Sequence, residues 1–218
     1  METTLGKPIP LQLVDLTIAD ENLGYIDRTF NLLDDNVFIF SGKYDSVIEQ
    51  DVVQALEQYY SYFIPSKNIV TEYDVLAEHC MPTLNYGEEC ATLSLPYLGD
   101  CDYDGAGMAL RTLYGTLKPR TSMVSSNLMT FKQSSYIPFG VPSSLGDNGW
   151  IYVPTSCQKS GTSCSLHVSL HGCEQGESVI GNQYAMYAGY NEWAESNNII
   201  VLYPYAAISQ IFPYNPNG

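Results

Sequence analysis

"SLHVSLHGCEQ", residues 165–175, reads as a short, mostly apolar strand from Leu166 to Leu170 that breaks on His171-Gly172. A helix-like segment opens downstream, from about Asn182. Glycine at the end of a buried strand lets the backbone turn sharply. The next N–H, here that of Cys173, can then face an oxygen on which negative charge develops. A strand that ends in glycine is common, so the position of this one in the chain carries the information. The best acid and histidine candidates, Asp45 and His79, both precede it.

Composition bounds the rest. A length of 218 residues suits one α/β domain, and we read 1–218 as a single, partial domain with a weakly patterned N-terminal segment at 1–35. Hydrophobic residues make up 45%, enough for a core. The formal net charge of −15, with only 9 Lys+Arg, argues against nucleic acid and against an anionic membrane surface as partners. No apolar run is long enough to span a bilayer. The opening "METTLGKPIPLQL" lacks the basic start and apolar stretch of a secretion signal. The cysteines point the other way. Cys90 and Cys101 bracket one polar loop, and Cys157 and Cys164 bracket "CQKSGTSC". Neither pair has the repeated two-residue spacing of a zinc site, so no metal is expected. Two disulfides in an oxidising compartment are the better reading. Cys80 and Cys173 are left over.

In chain order, a short helix is expected near Asp20, then a strand at 36–45, where Val37 to Phe40 form a continuous apolar run as in a parallel sheet buried on both faces. Residues 46–63 form an amphipathic helix, stopped by Pro65, and 68–76 form the next strand. Asp104 caps a helix from about Ala106 to Leu117; Asp102 and Asp104 resemble half a calcium loop but lack its later ligands. Strands are expected at 127–133, 150–154 and 198–204, with a loop at 137–149 and a helix over about 182–196. The "CQKSGTSC" hairpin is expected to pair strand 150–154 with the strand at Leu166–Leu170.

Asp45 just past one strand and His79 just past the next give the order strand, acid, helix, strand, histidine. Each taken alone is a turn former or a loop residue. As a pair at successive strand ends, at the carboxyl edge of a sheet, they read as the acid and base of a hydrolytic triad. Asp74 is the competing acid, within its strand and close to His79. In ordinary α/β-hydrolases the His-Gly loop comes before nucleophile, acid and histidine, whereas here it follows the acid and histidine candidates.

"VFIFSGKYDSVI", "LPYLGDCDYDGAGMALRTLYGTL", "CSLHVSLHGCEQ", "GYNEWAESNNIIVLYPYA" and the terminal "NPNG" together resemble the secreted fungal poly(3-hydroxybutyrate) depolymerases and their bacterial relatives, over roughly residues 36–218. The resemblance implies a circularly permuted α/β-hydrolase with a mainly parallel sheet and helices on both faces, and an extracellular serine esterase that hydrolyses ester bonds of poly(3-hydroxybutyrate) or related short-chain esters through an acyl-enzyme, without a cofactor. By it Asp45 is the triad acid, His79 the base and the Cys173 amide an oxyanion donor, with disulfides Cys90–Cys101 and Cys157–Cys164. The family's nucleophile lies upstream in a Gly-x-Ser-x-Gly turn, and nothing before Asp45 has that form; Ser41 does not fit it. Ser178 follows Gly176-Glu177 in a region the family does not use for attack. The family also continues past "NPNG" into a Cys and a Trp-rich run. The chain is therefore read as an incomplete esterase, or alternatively as a catalytically dead, hydrolase-like binding or structural domain. A feruloyl or acetylxylan esterase is disfavoured by the permuted order and the "CDYDGAG" block.

Overall fold

The computed structural model describes residues 7–218; Met1 to Gly6, which begin the weakly patterned segment and the stretch read for a secretion signal, lie outside the described residues. Helix α1, Pro10–Leu23, has proline in its first turn and ends on Gly24 in the left-handed region at φ 73°. The helix expected near Asp20 is therefore the tail of a longer one. Only Val14 of α1 is buried, so there is no apolar face for periodicity to reveal.

Strand β1, Val37–Phe40, runs parallel to β2, Ile69–Glu72. The crossover between them is helix α2, Gln50–Ser61, as a parallel pair requires. Strand β2 is shorter than expected, and Asp74 lies in the bend after it. Burial of β1 on both faces is not met: Ile39 is its only buried residue, and its outer edge carries no strand among the described residues. Three short parallel strands follow, β3 at Met81–Thr83, β4 at Glu88–Glu89 and β5 at Leu98–Asp100, in the order β3-β5-β4.

Helix α3, Gly105–Tyr114, is capped by Asp104, whose carboxylate accepts from the Gly107 amide at 2.8 Å and from the Trp193 indole at 3.0 Å. It stops before Leu117 because Gly115 takes φ 76°. Capping accounts for Asp104.

The third sheet holds β6, Leu128–Phe131; β7, Gly149–Tyr152; β8, Ser165–Val168; and β9, Ile199–Tyr203, in the order β6-β7-β9-β8. This corrects the expected hairpin. β7 and β8 are not neighbours, because β9 enters between them, antiparallel to β7 and parallel to β8. The reason is hydrophobic. Ile199, Val201 and Tyr203 of β9 are at most 2% exposed, so β9 takes the central place that both neighbours cover. Four of the six strand pairings among the described residues are parallel.

The single helix expected over 182–196 is three pieces: α4, Glu177–Ile180; α5, Gln183–Tyr187; and α6, Tyr190–Asn197. Gly181 and Gly189, at φ 62° and 94°, break it. Gly189 is also required for closeness, since a Cβ there would stand 3.3 Å from the Ala106 Cβ of α3. The core of β9, α3 and α6 is unusually rich in tyrosine, and buried hydroxyls must be satisfied. Tyr152 donates to Glu195 at 2.6 Å, Tyr203 to Asn191 at 2.7 Å and Tyr184 to the Leu170 carbonyl at 3.0 Å. No helix among the described residues is long and apolar enough to cross a membrane.

Candidate active site

Past their strand ends, the loops after β1 and β2 keep running side by side. The Ser41 amide donates to the Glu72 carbonyl at 3.1 Å, Lys43 to Val75 at 2.8 Å and Tyr44 to Ala77 at 3.0 Å. Gly42 makes this approach possible, because any Cβ there would overlap the Ala77 carbonyl. Asp45 and His79 are thereby brought together: Asp45 Oδ2 lies 2.9 Å from His79 Nδ1. A carboxylate only accepts, so Nδ1 carries the proton, and Nε2 makes no hydrogen bond among the described residues. The other Asp45 oxygen accepts from the amides of Val47 and Ile48 at 3.0 and 2.8 Å. The Asp45 side chain is 8% exposed and that of His79 47%.

Burial alone would push the Asp45 carboxyl up, but the bonds from His79, Ile48 and Val47 outweigh it, and its pKa falls below the ordinary value. The hydrogen bond to Asp45 raises the pKa of His79 against partial burial, and the charges of Asp45 and Glu78 add to the rise. Glu78 is a residue that sequence reasoning missed. It is 9% exposed, and one of its oxygens accepts from the amides of His79 at 2.7 Å and Ser46 at 3.1 Å. It thus ties the backbone of the Asp45 loop to that of the His79 loop. Burial opposes its charge, but the bonds with Ser46 and His79 win, and its pKa is lowered. In the sequence it is an acid beside a histidine, with no mark that separates it from a solvated one.

The other half of the site follows β8. Residues Gly172 to Gln175 form a tight turn closed by the Gln175 amide on the Gly172 carbonyl at 3.3 Å. The Gly172 amide donates to Gln175 Oε1 at 2.8 Å, and Gln175 Nε2 donates to the carbonyls of Pro96 and Tyr97 at 2.8 and 3.2 Å. Glu174, third in the turn, takes φ 60°, a conformation that costs roughly 1–2 kcal/mol for a residue with a Cβ. The Tyr97 hydroxyl holds it by donating to Glu174 Oε2 at 2.9 Å. Cys173 N–H has no acceptor among the described residues.

Asp45, His79, Gly172 and Cys173 line one cleft of about 600 Å³, walled by Val47, Ile48, Met81, Leu93 and Tyr97. An apolar groove of about 480 Å³ between α1 and α2 meets this cleft at Ile48 but contains neither Asp45 nor His79, and Asp20 is its only carboxylate among the described residues. Asp74, the competing acid, is instead fully exposed and 4.0 Å from the Lys43 ammonium. Ser178 does not line the cleft; Ser41 does, but its hydroxyl is buried and without a partner. Cys90–Cys101 and Cys157–Cys164 are bonded, and Cys80 and Cys173 are free thiols. Cys90 also supports the His79 loop, since its carbonyl accepts from the Glu78 amide at 2.8 Å. Burial, with the charges of Asp45 and Glu78, pushes the Cys80 thiol up to about 11, so it stays protonated. Chemically, an imidazole fixed on a carboxylate with a bare nitrogen can take a proton from a hydroxyl, and an unpartnered amide can bind a developing oxyanion.

No family model matches the chain. It is 43% identical to a poly(3-hydroxybutyrate) depolymerase of Delftia acidovorans, over 88% of this chain and 39% of that protein. It is 38% identical to a polyhydroxybutyrate depolymerase of Talaromyces funiculosus, over 81% of this chain and 52% of the relative. The chain thus spans about half the length, or less, of these curated relatives. Among solved structures it matches a PHB depolymerase from Penicillium funiculosum at a TM-score of 0.88 and 32% identity, covering 97% of this chain and 69% of that one. It also matches a PHB depolymerase complexed with an R3HB trimer, at 0.89 and 31%, with the same coverage.

Proposed function

This chain belongs to the poly(3-hydroxybutyrate) depolymerase family, and we propose that it carries the acid, the base and one oxyanion donor of a serine esterase acting on poly(3-hydroxybutyrate) or related short-chain esters. The observation that carries this reading is the 2.9 Å bond between His79 Nδ1 and Asp45 in a cleft that Cys173 also lines. Asp45 holds the ring in one tautomer. His79 Nε2 takes the proton of a serine hydroxyl as its oxygen attacks the ester carbonyl, and the Cys173 amide stabilises the resulting alkoxide. The intermediate collapses to an acyl-enzyme, and the alcohol leaves with the proton from His79. Water, activated by the same nitrogen, then releases the acid. The apolar walls suit a short hydroxyalkanoate ester, and a structural neighbour is complexed with an R3HB trimer. No cofactor is invoked.

The attacking serine is proposed to come from a turn outside this sequence. Among the described residues, no serine hydroxyl is bonded to His79 Nε2 and no strand covers the outer edges of β8 and β1. Residues 1–218 are on this reading one partial catalytic domain, and two disulfides support an extracellular setting. The test is hydrolysis of p-nitrophenyl butyrate. The 218-residue chain alone should fall several orders of magnitude short of a triad enzyme, as loss of a triad member leaves only about 10³–10⁴-fold over water. Activity should appear when a serine-turn segment is supplied and vanish again with His79→Ala. Turnover by the chain alone that His79→Ala abolishes would put the nucleophile within it, at Ser178 or Ser41. No activity on supplying the segment would favour a dead, binding-only domain.

A further inference from the structure

We propose that His171 is a positioning residue: one fixed tautomer of its ring locks the Gly172 carbonyl and so aims the Cys173 amide into the cleft. His171 Nδ1 lies 2.8 Å from the Gly172 carbonyl, which can only accept, so Nδ1 carries a proton. The Ala206 amide donates to His171 Nε2 at 3.0 Å, so Nε2 carries none. Both bonds together allow only the neutral Nδ1–H form. The Ala206 amide, just past β9 on the neighbouring segment, therefore determines which nitrogen faces the loop. The ring is held between Tyr205 and Tyr184, at centroid distances of 4.9 and 6.4 Å.

The consequence passes through one planar peptide group. The Gly172 carbonyl and the Cys173 N–H are opposite ends of the same unit and point in opposite directions. Bonds to that carbonyl from His171 and from the Gln175 amide fix its direction. The N–H is then left free and preset, with no reorganisation needed as charge develops. Without the His171 bond, the unit is held by Gln175 alone, at 3.3 Å.

The inference rests on the reading of Cys173 N–H as an oxyanion donor, and the experiment separates the two. In the isotopically labelled 218-residue chain, long-range proton–nitrogen correlation of the His171 ring should show Nδ1 protonated and Nε2 bare; the opposite or an averaged tautomer overturns the proposal. His171→Phe keeps an aromatic ring but no donor, whereas His171→Asn keeps a donor at the place of Nδ1. The Cys173 amide cross-peak should move in the first and stay in the second, whereas the Ala206 amide cross-peak, which loses its acceptor in both, should move in both. In the protein supplied with the serine segment, His171→Phe should lower kcat toward the roughly 10²–10³-fold loss of an oxyanion donor, with little change in KM, and His171→Asn should restore it. An unmoved Cys173 cross-peak with full kcat in His171→Phe sinks the positioning role and leaves the oxyanion reading intact. A moved cross-peak with full kcat sinks the oxyanion reading instead.

Discussion

His79 gains a partner on folding that it lacks in the unfolded chain, and its pKa rises for that reason. Below its ordinary value near 6.5 the imidazolium–carboxylate bond contributes its full stability, which is lost as pH rises through the raised folded value. Asp45 and Glu78 behave oppositely. Their pKa values are lowered, so their contribution is present above the ordinary carboxylate range and is lost as pH falls through the lowered values. Asp45→Asn should therefore lower the titration midpoint of His79. Glu78→Gln should lower it less, because Glu78 acts on the ring only through its charge and bonds the backbone. A proton NMR titration checks both, and with 3 histidines in the chain the signals are readily assigned. A Glu78→Gln change as large as that of Asp45→Asn would contradict this ranking. Asp45 and His79 were singled out in the sequence because each follows a stretch read as a strand, and the structure bonds them at 2.9 Å. Glu78, His171 and Gln175 were not, since their roles depend on which backbone groups lie opposite them.

Among the elements, α3 shows how one side chain serves several partners. Asp104 caps the helix at Gly107, satisfies the Trp193 indole and lies 3.6 Å from Arg120. Trp193 is 2% exposed, so its N–H has no water to replace Asp104. Asp104→Ala should cost about 2–4 kcal/mol, combining a lost cap of about 1 with an unsatisfied buried donor of about 1–3, read as a lower midpoint in urea at unchanged slope. The cap was readable from Asp104 ahead of Gly105-Ala106-Gly107; its bond to Trp193, far along the chain, was not. Strand pairing divides the same way. Apolar runs located β1, β6, β7 and β9, but the "CQKSGTSC" loop suggested a hairpin that burial of β9 at the centre of the sheet overrules. The break of the 182–196 helix at Gly181 and Gly189 follows from their positive φ, which a glycine in a helical pattern permits without announcing.

At the scale of the molecule, unpaired edges and apolar exposure coincide. Leu166, Val168 and Leu170 on and beyond β8 are 59%, 48% and 68% exposed, beside an edge without a neighbour among the described residues. Such an edge invites pairing with another chain. The purified 218-residue chain should self-associate, and sedimentation velocity should show it. A net charge of −15 opposes association, so raising salt at neutral pH should strengthen it by screening. Val168→Lys with Leu170→Lys should return the chain toward monomer; an unchanged distribution would place the contact elsewhere, for instance on the apolar groove between α1 and α2.

By itself the sequence determined the α/β class and the family, and it marked out the disulfide partners and the two side chains, Asp45 and His79, that the structure brings into hydrogen-bond contact. These rest on local signals: apolar runs of strand length, cysteines bracketing polar loops, and polar residues just beyond strand ends. Tertiary structure alone decided that β9 separates β7 from β8, that Glu78 joins the loops of Asp45 and His79, and that Ala206 selects the tautomer of His171. Each of these is a contact between residues distant in the chain or a choice between equivalent polar atoms. Pattern along the chain shows which groups are present, and only their placement in space shows which donor meets which acceptor.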